Sequence, residues 1–294
     1  MFLLFAVLAT ILSAAFFVGN KILMARYEMP WIEVWRWGLG ATALCGLVAY
    51  VLLGMPTLPW IWVICAGVCG AFAHVLANKA LSWGDASFLI PISGAKPLLV
   101  ALLPLVMGVT LPNTIIYACL LSTFGIALSV MVPPRAHKYA PHPYWGFFAM
   151  WISVVFMVAS DVCGAKAVEI VGHQQRFGII AGWCICMGIA PMLSLGSHRH
   201  RCSWAVRGGA MFFGVVFAAF LACMTIAFTL APNSSLAVAE VNIVMAFRGL
   251  VSVLMVLALD RWLALTLEPL PRWIHVVRLI GSLVLGGAVA IAFM

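Results

Sequence analysis

Residues 2–25 read FLLFAVLATILSAAFFVGNKILMA and contain one charged side chain, Lys21. A helix crosses the hydrocarbon core of a bilayer with about 20 apolar residues, so this stretch predicts a membrane-spanning helix. Nine further apolar runs of similar length follow, separated by short turns that contain Gly, Pro or polar residues. The sequence therefore predicts an all-α integral membrane protein with ten transmembrane helices, at residues 2–25, 31–53, 59–82, 86–108, 113–132, 143–167, 175–196, 205–230, 234–259 and 273–293.

The composition agrees with a chain that lies mostly in lipid. Of its 294 residues, 65% are hydrophobic and 8% are charged, whereas ordinary soluble domains are about 45–50% apolar and about 25% charged. A soluble globular domain is thereby excluded. The net charge of +8 suits nucleic acid in a soluble protein, but in a membrane protein basic loops mark the cytoplasmic side. We expect the lipid bilayer and not nucleic acid as a partner, and a monomer or weak dimer.

Basic residues are concentrated on one side of the predicted bundle. Two of the 16 Lys and Arg residues lie near the face at which the first helix begins, and two lie within helices. The positive-inside rule then predicts a protein of a plasma membrane, the inner membrane in bacteria, with both termini outside. The other twelve lie near the opposite face: Lys21, Arg26, Arg36, Lys79, Arg135, Lys138, Arg199, Arg201, Arg207, Arg261, Arg272 and Arg278.

The two halves of the chain resemble each other. Gly19–Lys21 matches Gly164–Lys166 at a separation of 145 residues, and Lys96 matches Arg248 at a separation of 152. Because five is odd, a repeated set of five helices crosses the membrane in the opposite sense the second time. Inverted repeats of this kind are typical of secondary transporters. The predicted units are a first repeat, an inter-repeat loop and a second repeat, at residues 1–134, 135–142 and 143–294.

Short motifs in the first half resemble those of a known family. Lys21, Pro30 and Arg36, with Ala80–Ser87 before a Pro-containing fourth helix, resemble the EamA-like members of the drug/metabolite transporter (DMT) superfamily. The resemblance implies a central cavity lined mainly by helices 1, 3, 4, 6, 8 and 9, alternating access, and export of small metabolites. It also implies cytoplasmic termini, against the charge distribution. One departure is Val109, where the family often has Glu.

The candidate substrate-binding residues are polar or aromatic side chains inside predicted helices. An ionisable group there costs about 2.5–3.5 kcal/mol on insertion scales, so each needs a partner or a function. Trp37 is expected near the cavity, with helix packing as the alternative interpretation. The full set is Lys96, Glu240, Arg248, His74, Asn78, Asn242 and Trp37.

Two of these residues, Lys96 and Arg248, predict a site for a substrate carboxylate or phosphate at the middle of the membrane. Lys96 precedes Pro97, and with Pro91 this predicts a bend in the fourth helix, because proline removes a backbone hydrogen bond. Glu240 shares a broad helical face with Arg248. Glu240 either pairs with Lys96, holds a cationic group of a zwitterion or carries a coupling proton. A purely structural ion-pair cluster is the alternative.

The candidate proton-coupling residues are Glu240, Asp161 and His74. A buried acid is the usual coupling group in secondary transporters, and imidazole titrates near neutral pH. The alternatives are a structural pair of Asp161 with Lys21 and a hydrogen bond from His74 to a neighbouring carbonyl. Asn78 lies four residues from His74, on the same helix face.

These features together predict a secondary transporter, expected to export an amino acid, another zwitterion or a small anion by alternating access with proton coupling or exchange. A multidrug or quaternary-amine exporter and a lipid or lipid-linked-carrier flippase are the alternatives. We expect no enzyme activity, cofactor or metal, because the sequence has no nucleotide-binding loop and no zinc spacing. Most of its nine cysteines lie inside apolar runs.

Overall fold

The computed structural model describes residues 1–106, 112–130, 140–172, 175–193, 202–231, 237–262 and 272–292. The described residues form α-helices and one short 3-10 segment, with no β-strand among them. The predicted ends at 107–108, 131–132, 194–196, 234–236 and 293 lie outside these ranges. So do Arg135, Lys138, Arg199, Arg201 and most of the predicted inter-repeat loop.

The helices lie within a few residues of the predicted apolar runs, except where two runs are interrupted. Their bounds are α1 Phe2–Arg26, α2 Trp31–Leu52, α3 Trp60–Trp83, α4 Ala86–Ile92, α5 Lys96–Val106, α6 Asn113–Val130, α7 Pro143–Val171, α8 Arg176–Leu193, α9 Trp204–Leu230, α10 Ala237–Met245, α11 Arg248–Trp262 and α12 Arg272–Ala292. Within the described ranges, six apolar segments are long enough to cross a membrane: α1, α2, α3, α7, α9 and the combined run Ala237–Leu259.

The fourth apolar run bends where the prolines predict it. Helix α4 gives way to a 3-10 segment at Ser93–Ala95, and α5 begins at Lys96. Pro97 has no N–H to donate to the carbonyl four residues earlier, so the α-helical ladder is interrupted there. Proline is well tolerated in the first turn of the new helix.

The ninth apolar run is also interrupted, although it contains no proline. Helix α10 ends at Met245, a turn occupies Ala246–Phe247, and α11 begins at Arg248. The two interruptions pack against each other. A Cβ atom added at Gly249 would lie 3.1 Å from the Cα of Pro91, and one added at Gly94 would lie 3.5 Å from the carbonyl oxygen of Ala246. Small residues thus let the two broken helices cross closely.

Helices from the first half of the chain pair mainly with helices from the second half. The closest pairs are α3 with α7, α2 with α8, α6 with α12, and α1 with α9. Hydroxyl groups join one of these pairs, because Ser153 and Ser160 of α7 donate to the carbonyl oxygens of Ala73 and Ala66 of α3 at 2.8 and 2.6 Å. The core therefore lies between the two halves, and the outward faces carry large apolar side chains such as Ile61, as lipid contact requires.

Candidate functional site

The two helix interruptions place two cations at equivalent positions. Lys96 is the first residue of α5 and Arg248 is the first residue of α11. Both side chains are buried, with 3% and 2% of their surface exposed. Lys96 and Arg248, which match each other in the sequence comparison of the two halves, are therefore each the first residue after a helix interruption.

Lys96 has a full ionic partner. Its Nζ lies 2.7 Å from Oδ2 of Asp161 on α7, and both side chains are buried. The alternative pair of Asp161 with Lys21 is therefore not formed. Nζ of Lys21 instead donates to the carbonyl oxygens of Leu81 and Gly84 at 2.8 Å each.

Arg248 has weaker partners than Lys96. Its Nη1 donates to the hydroxyl of Ser13 at 2.6 Å, and its guanidinium carbon lies 5.1 Å from the ring centre of Phe17. Among the described residues, no carboxylate lies within salt-bridge distance of Arg248. The nitrogen Nε of Arg248 has no hydrogen-bond partner there either. Arg248 is thus a buried cation without an ionic partner in the described chain.

Lys96, Asp161, Arg248 and His74 line one cavity between the helices. Two cations and one anion give its wall a net charge of +1 when His74 is neutral. The centre of a water molecule can occupy about 20 Å³ of this cavity, which is room for roughly one water molecule. A metabolite therefore requires the helices to move apart. The remaining wall is largely apolar and includes Met157, Met187, Met224, Phe17, Phe217, Phe220, Leu221 and Trp183.

The imidazole of His74 is enclosed by aromatic rings. Its ring centre lies 4.4 Å from that of Phe217, 5.4 Å from that of Phe16 and 5.6 Å from that of Phe17. Atom Nδ1 of His74 has no hydrogen-bond partner among the described residues. The expected bond to a neighbouring carbonyl is therefore not made by Nδ1.

Four of the residues proposed from the sequence do not line this cavity. Asn78 accepts a hydrogen bond from Asn20 at 3.0 Å, and Asn242 donates to the carbonyl of Val238 at 2.9 Å. Glu240 lies on α10, and the pair it was expected to form with Lys96 is not made, since Asp161 takes that place. Trp37 is the fourth residue of this set that does not line the cavity.

Trp37 lies in a separate cluster near the start of α2. Its indole nitrogen donates to Glu33 at 3.1 Å, and its ring contacts Trp204 and the guanidinium of Arg207. Trp37 is only six residues into α2, about 9 Å along its axis, and so lies near the end of the bundle. Trp37 therefore does not line the cavity described above, and its role in substrate binding stays a prediction.

One cavity residue, Trp183, was missed from the sequence. Trp183 of α8 is 1% exposed, and a Cβ atom on Gly164 of α7 would collide with its ring. The available signal was its position in the middle of an apolar run, since interfacial anchors lie at the ends of helices. In the sequence, Gly164 stands out only as the match of Gly19. In the structure, its lack of a side chain makes room for the indole of Trp183.

The fold and the buried charged cavity define a helical membrane protein with a polar site inside the bundle. Residues 1–131 match the model of the EamA-like transporter family, which confirms the resemblance to the DMT superfamily seen in the sequence motifs. Members of this family are membrane transporters and not enzymes. The chain is thus an integral membrane protein, and the family matched by its first 131 residues consists of transporters of small molecules.

Comparison with other proteins adds support for the fold alone. No curated protein matches the sequence. A solved structure, titled only as the crystal structure of a protein, aligns with 97% of this chain and 96% of its own. The two chains are 17% identical, with a TM-score of 0.63. At this identity the match indicates a shared fold and carries no information on substrate.

Proposed function

We propose that this protein is a secondary transporter that binds a small polar metabolite in the cavity between the two helix interruptions. The expected substrate is an amino acid, another zwitterion or a small anion, and export is the expected direction. The observation that carries the proposal is the buried wall of Lys96, Asp161 and Arg248, with its net charge of +1. Burying an unpaired charge is costly, so a substrate anion that neutralises it gains binding free energy. A quaternary amine would meet net repulsion there.

The ten-helix, two-repeat architecture is part of this proposal. Exchanging each helix of residues 1–134 for its counterpart in residues 143–294 converts the α3–α7 pair into the α9–α1 pair. It leaves the α2–α8 and α6–α12 pairs unchanged. The observed helix pairs are the ones that a two-fold axis in the membrane plane would generate. Such a relation supports transport in which the two repeats exchange conformations, so that the cavity opens first to one side of the membrane and then to the other.

Buried hydrogen bonds of Asn20 and Lys21 lie beside the cavity, and a seal at this end would support alternating access. Phe17 and His74 line the cavity, and one turn further along α1 and α3 lies the buried Asn20–Asn78 hydrogen bond. Beyond it, Lys21 holds the carboxyl end of α3. The repeat counterpart of Lys21 is Lys166, which is largely exposed and pairs with Glu169 on its own helix. The two matched lysines therefore make different contacts.

Proton coupling is proposed at Asp161, with His74 and Glu240 as the other candidate groups. Protonation of Asp161 would remove the ionic partner of Lys96 and raise the positive charge of the cavity. Anion binding and proton binding would then favour each other, which is the linkage that a proton-coupled carrier of anions needs.

Counterflow into proteoliposomes tests the proposed function. The protein is first screened for metabolites that raise its thermal stability, because a ligand of the folded state does so. We expect hits to exchange across the liposome membrane, Arg248→Gln to abolish the exchange, and Arg26→Gln, at an exposed helix end, to leave it intact. Exchange unaffected by Arg248→Gln would contradict the proposal. Epitope tags at each terminus, probed in intact cells, test the proposed outside location of both termini and the placement in the plasma membrane.

A further inference from the structure

Three side chains that line the same cavity each carry a buried nitrogen atom without a hydrogen-bond partner among the described residues. The nitrogens are Nε of Arg248, Nδ1 of His74 and Nε1 of Trp183, and within the described residues no atom accepts from or donates to them. All three side chains are at least 95% buried. Buried polar atoms are paired in the great majority of cases. The three residues differ from the other residues with unpaired atoms in that they line one cavity together, where a ligand could supply the missing partners.

The chemistry of these atoms specifies a ligand with acceptor oxygens. The indole nitrogen of Trp183 and Nε of Arg248 can only donate, and Nδ1 of His74 donates in one of its two neutral tautomers. The Nε edge of a guanidinium presents two parallel N–H groups that match a carboxylate. Arg248 donates to Ser13 through Nη1. The hydrogen on Nε is not used in that bond.

The same cavity offers no free anion for an ammonium group. Its carboxylate, Asp161, is 2.7 Å from Lys96, and apart from the hydroxyl of Ser160 the rest of the wall is mainly methionine and aromatic side chains. The Ser160 hydroxyl donates to the carbonyl of Ala66. An amino acid would thus bury its ammonium group against apolar and cationic side chains, which is unfavourable.

We propose that the cavity binds a monocarboxylate with an apolar body. Arg248, His74 and Trp183 donate to its carboxylate, and the methionines and phenylalanines contact the rest of the molecule. This inference rests on the proposed transport function and narrows its substrate class from zwitterions and small anions to carboxylates without an ammonium group. Trp183 is a specificity-determining residue, because its N–H recognises an oxygen while its ring forms part of the apolar wall.

A matched series of six-carbon probes tests the ligand class. Hexanoate, hexylammonium and norleucine share the chain and differ in their charged groups. Binding to the purified protein is measured by thermal unfolding in detergent. We expect hexanoate to stabilise the protein, norleucine to bind at least tenfold more weakly, and hexylammonium to have no effect. Tighter binding of norleucine or hexylammonium, or no binding of hexanoate by a folded protein, would overturn the proposal.

Three variants test the donor residues. Trp183→Phe keeps the ring and removes the N–H, and we expect it to weaken hexanoate binding about tenfold, as for loss of one hydrogen bond to a charged group. The same substitution at Trp145, which is exposed at the start of α7, should change nothing. Arg248→Lys keeps the charge, loses the Nε edge and should also weaken binding. Unchanged affinity in Trp183→Phe would show that the indole is not a donor to the ligand.

The same protein in liposomes separates the two proposals. If hexanoate binds and the variants weaken it, but no hexanoate exchanges across the membrane, the transport function fails and the carboxylate site stands. If norleucine binds more tightly and exchanges, the carboxylate assignment fails and the transport function stands. Both proposals are supported if hexanoate exchanges across the membrane and Trp183→Phe slows this exchange at low substrate concentration without changing the maximal rate.

Discussion

The ion pair between Lys96 and Asp161 gives the sharpest prediction for stability. Its atoms are 2.7 Å apart and its side chains are 4% and 5% exposed. At this distance and an effective dielectric constant of about 20, the Coulomb attraction is about 6 kcal/mol, much of which offsets the cost of removing both charges from water. Asp161→Asn leaves Lys96 unpaired and raises the charge of the cavity wall from +1 to +2. We expect this variant to lose about 3–5 kcal/mol of unfolding free energy.

The double variant Lys96→Met, Asp161→Asn should recover most of that loss. It removes both charges and leaves a well-filled site, which is often neutral for stability. Unfolding by sodium dodecyl sulfate in mixed micelles gives the free energies for a double-mutant cycle. We expect a coupling energy of at least about 2 kcal/mol. The exposed pair Lys166–Glu169, 3.0 Å apart with side chains 46% and 65% exposed, is the control and should couple by about 0.5 kcal/mol or less.

The same double variant separates stability from ligand binding. It keeps Arg248 and hence the net charge of +1, so it should retain hexanoate binding, while Arg248→Gln should lose it. Additive effects of Lys96→Met and Asp161→Asn, with coupling below about 0.5 kcal/mol, would refute the ion pair. Loss of hexanoate binding in a stable double variant would refute the assignment of ligand binding to Arg248 and of the stabilising ion pair to Lys96.

Two further predictions concern helix contacts. Asn20→Ala and Asn78→Ala each remove a buried 3.0 Å hydrogen bond. Each should lower the free energy of unfolding by about 1–3 kcal/mol in the same assay, and a change near zero would contradict this hydrogen bond. Gly46→Val places a side chain where even a Cβ lies 2.6 Å from the carbonyl oxygen of Ala181, so α2 and α8 must separate at a cost of about 1–3 kcal/mol. Gly40→Ala, with open space around it, should leave stability unchanged, and equal effects of the two substitutions would contradict the close packing.

The positions of the helices could be predicted because each apolar run is bounded by local signals. Gly54 and Pro56 follow α2, and Gly84 and Asp85 separate α3 from α4. The interruption after α4 was readable too, since Pro97 removes a backbone donor whatever surrounds it. Backbone chemistry of this kind acts within a few residues, so the sequence carries it directly.

The second interruption could not be predicted in the same way. Residues Ala246–Phe247 contain no proline, and the break there depends on how α10 and α11 cross the first broken helix near Gly94 and Pro91. The match of Arg248 to Lys96 was the only local indication. A tertiary contact across about 150 residues leaves no other local trace. For the same reason the sequence did not show that the partner of Lys96 is Asp161 and not Glu240.

The charge of the cavity follows from an asymmetry between the two halves. The match of Gly19 with Gly164 sets an offset of 145 residues, which makes Phe16 the counterpart of Asp161. Lys96 therefore has a carboxylate on α7, whereas the contacts of Arg248 on α1 are the hydroxyl of Ser13 and the ring of Phe17. An acid at both positions would give a cavity with no net charge and no preference for anions. The difference between these two side chains leaves Arg248 without a carboxylate at salt-bridge distance among the described residues. A carboxylate ligand would supply that partner, and a buried charge gains most from being paired.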